Sequence, residues 1–165
     1  MNQRGFTLVE LMVVVGIAGI LFAIATMNWN QMQVKSGIET EIKTMHADLM
    51  EVRQQALYTK QKRKVVISGQ SYKAYPGTVT TVTPVLSKQL RFPVLWSGSG
   101  ALELEFDTQG MAGSPGTEYF ICVAPTGSLT QLNSASVDSL VVSAAQINLG
   151  LRTGGACDSD NIQKK

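Results

Sequence analysis

From Phe6 to Met27 nearly every position is apolar, and the single charge in about 22 residues is Glu10. A helix of that length rises about 33 Å, enough to cross a bilayer core. From Val34 onward the pattern changes. Val34, Ile38, Ile42, Met45, Leu49, Val52 and Ala56 recur every three or four positions, while Lys35, Glu39, Glu41, Lys43, Asp48, Glu51 and Arg53 occupy the other faces. That is the period of an amphipathic helix with one stripe packed on a partner. The pattern predicts one helix from Phe6 to about Thr59, roughly 80 Å long, apolar all round at first and striped later. A free coiled coil also explains a stripe, but the run of heptads is short. Gly16 and Gly19 are weak points in the helix, and no proline interrupts Ala25-Thr26-Met27-Asn28.

After "LYTKQKRK" the periodicity turns to alternation. Val65–Ser68, Tyr72–Tyr75, Val79–Thr83, Gln89–Phe92, Ala101–Phe106, Glu118–Ala124, Ser139–Ser143 and Gln146–Leu151 read as short strands. Between them "SGQS", "YPGT", "SGSG", "DTQG" and "AGSPG" carry the glycine and proline chemistry of turns. The expectation is an α+β domain, an antiparallel meander packed on the striped half-helix.

Composition narrows this picture without redirecting it. A chain of 165 residues, 44% of them hydrophobic, builds one modest domain plus one long accessory element. Fourteen basic against twelve acidic residues leave a formal charge of +2, too balanced for a chain dominated by phosphate binding. The two cysteines, Cys122 and Cys157, have no C-x-x-C spacing and no histidine nearby. They fit one disulfide better than zinc or thioredoxin-like chemistry. Closing that loop of about 36 residues constrains the unfolded chain by about 3–4 kcal/mol.

Arg4 is the only charge before the apolar run, which predicts a cytoplasmic N-terminus and translocation of everything after Met27. A conventional signal peptide shares the basic start, the apolar run and the small residues Ala23 and Ala25 around Ile24. Against it stands Glu10, because a carboxylate at depth in hydrocarbon costs several kcal/mol, on the order given by insertion scales. Snorkelling to the headgroups is one account of such a residue, and a partner is another.

Arg4-Gly5-Phe6-Thr7-Leu8-Val9-Glu10, followed by the apolar run, resembles the class III signal of type IV pilins and type II secretion pseudopilins. The resemblance implies a prepilin peptidase that cuts between Gly5 and Phe6 on the cytoplasmic face and methylates the new amine of Phe6. It implies that the Glu10 carboxylate pairs with the Phe6 amine of a neighbouring subunit. Two buried charges that neutralise each other avoid the cost each carries alone. It further implies residence in the bacterial inner membrane, single-pass, with the C-terminal domain in the periplasm, and incorporation into a filament with other pilin or pseudopilin subunits. The absence of a proline near the end of the apolar run departs from the common pilin pattern, so helix unwinding at such a proline has no support here.

The stretch "VRQQALYTKQKRKVVIS", then strands broken by "WSGSG" and "FDTQG", then a late strand pair before a short tail, is similar in arrangement to minor pilins of the GspH/FimT type. The family is associated with initiating or capping a pilus or pseudopilus, and one branch with binding incoming DNA. That branch carries Gly-Arg-x-Arg late in the chain, where this sequence has Gly150-Leu151-Arg152-Thr153, with only one arginine. A DNA or adhesion role would need a basic exposed face at Arg152 with Lys164 and Lys165. In pilins a C-terminal disulfide loop often bounds an exposed, variable surface, although a bond that only stabilises explains the cysteines equally well.

Other constellations carry less. Lys60-Gln61-Lys62-Arg63-Lys64 reads as a solvated helix end, where cations are favoured. Asp158–Asn161 supplies oxygen ligands but lacks the spacing and closing glutamate of an EF-hand. The only histidine, His46, has no serine, cysteine or second histidine at a useful spacing, and no Walker lysine follows "SGSG". No catalytic set, metal site or cofactor is therefore expected. The organisation expected is a leader over 1–5, a membrane or filament-core helix over 6–27, an amphipathic helix over 28–60, and a β-rich domain over 61–165. The function expected is a structural minor subunit of a type IV pilus or type II secretion pseudopilus, with a pilus-borne DNA-binding or adhesion subunit as the alternative.

Overall fold

The computed structural model describes residues 6–114, 116–129 and 132–165, without the side chains of 25–28. The expected leader over 1–5, and with it Arg4 and the Gly5 side of the expected cleavage site, lies outside the described residues. One helix, α1, runs Leu8–Thr59, and the chain divides after Val34 into two compact units.

In the first unit the helix is apolar on every face from Leu11 to Ile24. Its most apolar 18-residue window has a mean hydropathy of 2.6. It is long and apolar enough to cross a membrane.

The second unit, Lys35–Lys165, holds the rest of α1 and seven strands. They are β1 (Arg63–Tyr75), β2 (Leu86–Trp96), β3 (Leu102–Phe106), β4 (Tyr119–Val123), β5 (Ser139–Val142), β6 (Ile147–Arg152) and β7 (Ile162–Lys164). The sheet order is β3-β1-β2-β4-β5-β6-β7, every pairing antiparallel. The α+β class holds, but β3 sits beside β1 at an edge, so the sheet is not a pure meander.

The helix stripe packs as its period requires: Ile38, Ile42, Met45, Leu49, Val52 and Ala56 are all buried. Val34, first of the series, remains half-exposed at the end of the other unit. Gly37 permits a close approach to β2, since a Cβ there would stand 2.9 Å from the Arg91 guanidinium and 3.0 Å from the Phe92 ring. Polar contacts pin the same face. The Glu41 carboxylate accepts from the backbone N–H groups of Arg91 (2.7 Å) and Phe92 (3.2 Å). Asp48 accepts from Lys88 Nζ at 2.7 Å, Glu39 accepts from the Ser136 N–H at 2.8 Å, and His46 Nε2 lies 3.0 Å from the Ile147 carbonyl. Burial pushes the Glu41 carboxyl above its ordinary range, whereas the Ser136 hydrogen bond holds Glu39 below it.

Two of the expected strands, Val65–Ser68 and Tyr72–Tyr75, are one strand, and "SGQS" is not a turn. The register shifts between Gly69 and Ser71, with Gly69 at φ 56°. The extra residue changes which parity faces inward, from Val65 and Ile67 before the bulge to Tyr72 and Ala74 after it. Glycine supplies the left-handed conformation that the bulge needs. Burial also raises the Tyr72 phenol well above its usual range.

The expected strand Val79–Thr83 is instead part of the β1–β2 loop, where Val79, Val82 and Val85 are exposed. Pro84 cannot donate to a ladder, and those valines find no apolar surface to cover. The tail, in contrast, contributes β7, paired with β6 through Gly150↔Lys164 and Arg152↔Ile162.

Candidate functional site

At the N-terminal end of α1, Thr7 precedes the first helical residue and Glu10 stands three places later. The Glu10 N–H donates to Thr7 Oγ1 at 3.2 Å, while Glu10 Oε2 accepts from both the Thr7 N–H and its hydroxyl, each at 3.1 Å. This reciprocal pair is a capping box: it satisfies helix N–H groups that have no intrahelical acceptor. The carboxylate also sits where the positive end of the helix dipole favours an anion. Glu10 Oε1 carries no hydrogen bond among the described residues. Phe6 is 85% exposed immediately before the cap. The sequence expectation for Glu10, a single charge in an apolar run, does not include Thr7. The signal for it is Thr7-Leu8-Val9-Glu10, an S/T-x-x-E pattern directly ahead of an apolar run.

The Cys122–Cys157 disulfide is formed, with Sγ atoms 2.08 Å apart and Cα atoms 6.0 Å apart. It joins β4 to the segment between β6 and β7 and lies in an apolar cluster with Phe120, Val141 and Ile162, flanked by Leu129.

Arg152 corrects an expectation. Its side chain is fully buried rather than part of a basic exposed face, because Asp138, itself 1% exposed, is buried beside it. Asp138 Oδ1 accepts from the Arg152 N–H at 2.7 Å, and the guanidinium Nε stands 3.6 Å from Oδ2. Arg152 Nη1 donates to the carbonyls of Leu129 (2.6 Å) and Gly155 (3.3 Å), and Asn133 Nδ2 donates to Asp138 at 2.8 Å. A buried guanidinium needs this many acceptors, and its partners here come from three stretches of chain. Gly150 is required by space: a Cβ would lie 2.7 Å from both Ile162 Cγ2 and Ser139 Oγ. Gly150-Leu151-Arg152 therefore serves packing inside the domain.

The other two cations are at the surface but engaged. Lys164 Nζ lies 2.6 Å from Glu118 Oε1, and Lys165 Nζ donates to the Ser136 carbonyl. The structure therefore does not gather Arg152, Lys164 and Lys165 into one exposed face. In the run Lys60–Lys64, Lys64 is held by Glu103 and Glu105 at 2.9 and 3.0 Å. Asp158 Oδ1 accepts from the Asn161 backbone and side chain, which makes this stretch a self-contained turn. No group of three or more potential metal ligands occurs among the described residues.

Residues 1–26 match the family described as the prokaryotic N-terminal methylation motif. In fold the chain is similar to the type IV minor pilin FimU of Pseudomonas aeruginosa strain PAO1. One crystal form superposes with a TM-score of 0.52 at 14% identity, covering 70% of this chain and 89% of that one. A second form gives a TM-score of 0.52 at 16% identity, covering 67% and 90%. No curated protein matches by sequence. The fold is thus similar to that of this type IV minor pilin, and the methylation motif spans the start of the chain and the first part of its apolar helix.

Proposed function

We propose that the chain is a membrane-anchored minor subunit of a type IV pilus or type II secretion pseudopilus. A prepilin peptidase cuts it between Gly5 and Phe6 and methylates Phe6, and the subunit then enters a filament with other pilin-like chains. The apolar half-helix first lies in the inner membrane with the globular domain on the periplasmic side. The observation that carries this reading is the arrangement at the helix start. An exposed Phe6 precedes a carboxylate with one oxygen that carries no hydrogen bond among the described residues, at the head of a helix long and apolar enough to cross a membrane. On assembly the Phe6 ammonium of a neighbour meets that oxygen, and the two charges offset each other's desolvation. The role is structural, and the chemistry done on the chain is done by the peptidase.

The test is the intact mass and N-terminal sequence of the membrane-extracted protein. A mature chain that begins at N-methylated Phe6 and retains the apolar helix is expected. A mature terminus near Thr26 would identify an ordinary signal peptide and end this reading.

A further inference from the structure

We propose that Trp29 is the outer interfacial anchor of the apolar helix, holding it at a depth that keeps Glu10 at the opposite headgroup level while the subunit is in the membrane. The inference rests on the membrane-anchor reading above and adds a register to it. The occupant of the exposed apolar surface is a phospholipid bilayer of ordinary thickness.

The argument is one of length and chemistry. Helix α1 is continuous from Glu10 to Trp29. Nineteen steps of about 1.5 Å place these two residues about 28 Å apart along the axis, against a hydrocarbon core of about 30 Å. No charged residue lies between Glu10 and Lys35. The polar composition resumes abruptly around Trp29, as Asn28, Asn30, Gln31 and Gln33. Amide side chains are costly in hydrocarbon without partners, whereas an indole prefers the boundary, ring toward the acyl chains and N–H toward water. Trp29 is 65% exposed and so is available to the lipid. Lys35, six residues after Trp29 in the sequence, is the next charge.

At the other end, the same register sets the Thr7–Glu10 cap at the headgroups, where water and the cap share the solvation of the carboxylate. The cost of burying Glu10 is therefore absent in the membrane-resident subunit. It arises when the helix leaves the bilayer for an apolar filament core, and the need for a counter-ion arises at the same step.

The experiment uses the full-length mature chain in phosphatidylcholine–phosphatidylglycerol vesicles whose acyl chains carry bromine at defined depths. Trp96→Phe leaves Trp29 as the only indole, and Trp29→Phe is the control that reports Trp96 alone. The expected result is co-flotation with the vesicles, greatest loss of Trp29 fluorescence with bromine nearest the headgroups, and no loss from Trp96. Greatest loss with bromine near the chain ends, or none in protein that floats, would overturn the register while leaving the anchor reading in place. Failure of the protein to float would overturn the anchor reading and this inference together.

Discussion

Arg152 gives its backbone N–H to Asp138 and sets its guanidinium Nε 3.6 Å from the same carboxylate, with both side chains withdrawn from solvent. The pair sits where the chain must close several irregular segments over β4–β6. Arg152 reaches the Leu129 and Gly155 carbonyls, and Asp138 is reached by Asn133.

Arg152→Met is expected to destabilise the protein by about 3–5 kcal/mol, because it strands Asp138 without a counter-charge in the interior. Urea denaturation of the detergent-solubilised full chain reads this directly. A loss well under 1 kcal/mol would mean that the carboxylate is solvated after all.

A second expectation concerns nucleic acid. Lys164 is bound to Glu118 and Lys165 to the Ser136 carbonyl, so neither presents an uncommitted phosphate contact. Lys164→Gln with Lys165→Gln should leave duplex DNA retention low and its salt dependence unchanged. Micromolar retention by the wild-type chain that vanishes in this variant would restore the DNA-binding alternative.

The disulfide links Cys122 and Cys157 across a separation of 35 residues. Its removal by Cys122→Ala with Cys157→Ala should lower stability by about 3–4 kcal/mol, chiefly through the unfolded chain. Thiol labelling of the exported, non-reduced protein should find neither sulfur. Two labelled thiols would contradict the assignment.

The helix carboxylates predict a pH dependence of mixed sign. Glu41 has a raised pKa, so the folded state keeps that proton at pH values where the unfolded chain releases it. Its contribution to stability is therefore present in acid and falls as the pH rises from the ordinary carboxylate value through the raised one. Glu39, whose pKa is lowered, contributes above its ordinary range and loses that contribution as the pH falls. Glu41→Gln imitates the protonated form, so wild-type stability relative to this variant should decline as the pH rises through the Glu41 window. Denaturant titrations at a series of pH values decide it, and a relative stability that rises with pH would show the sign to be wrong.

Much of the architecture was legible because it follows from local periodicity. The three-four stripe from Ile38 to Ala56 became the buried helix face, and the strands built on Leu102, Leu104 and Phe106 or on Ile121 and Val123 lie where alternation placed them. What failed depends on contacts distant in sequence. Whether Arg152 faces water is decided by Asp138, fourteen residues earlier, and nothing in Gly150-Leu151-Arg152 reveals that partner. β7 is three residues long and exists because β6 offers it an edge. The bulge at Gly69 reads as a turn, since glycine serves both. Thr7 is a different case: Thr7-Leu8-Val9-Glu10 carries the capping pattern in the sequence itself, and the carboxylate has a neighbour three residues back as well as any partner in another subunit.

That neighbour also supplies the control that separates the two roles of the carboxylate. Thr7→Val removes the cap hydroxyl and keeps the charge of Glu10, a loss of about 1 kcal/mol at the helix end. Glu10→Ala keeps the Thr7 hydroxyl at the helix start but removes the carboxylate half of the cap together with the counter-ion, leaving a buried ammonium on the adjoining subunit at about 3–5 kcal/mol. The decisive measurement is incorporation of each variant into filaments or co-purification with other pilin-like subunits, at equal abundance in the membrane. The proposed function requires Thr7→Val to assemble and Glu10→Ala to remain in the membrane unassembled. Equal incorporation of Glu10→Ala and wild type would contradict it and leave Glu10 as a helix cap alone.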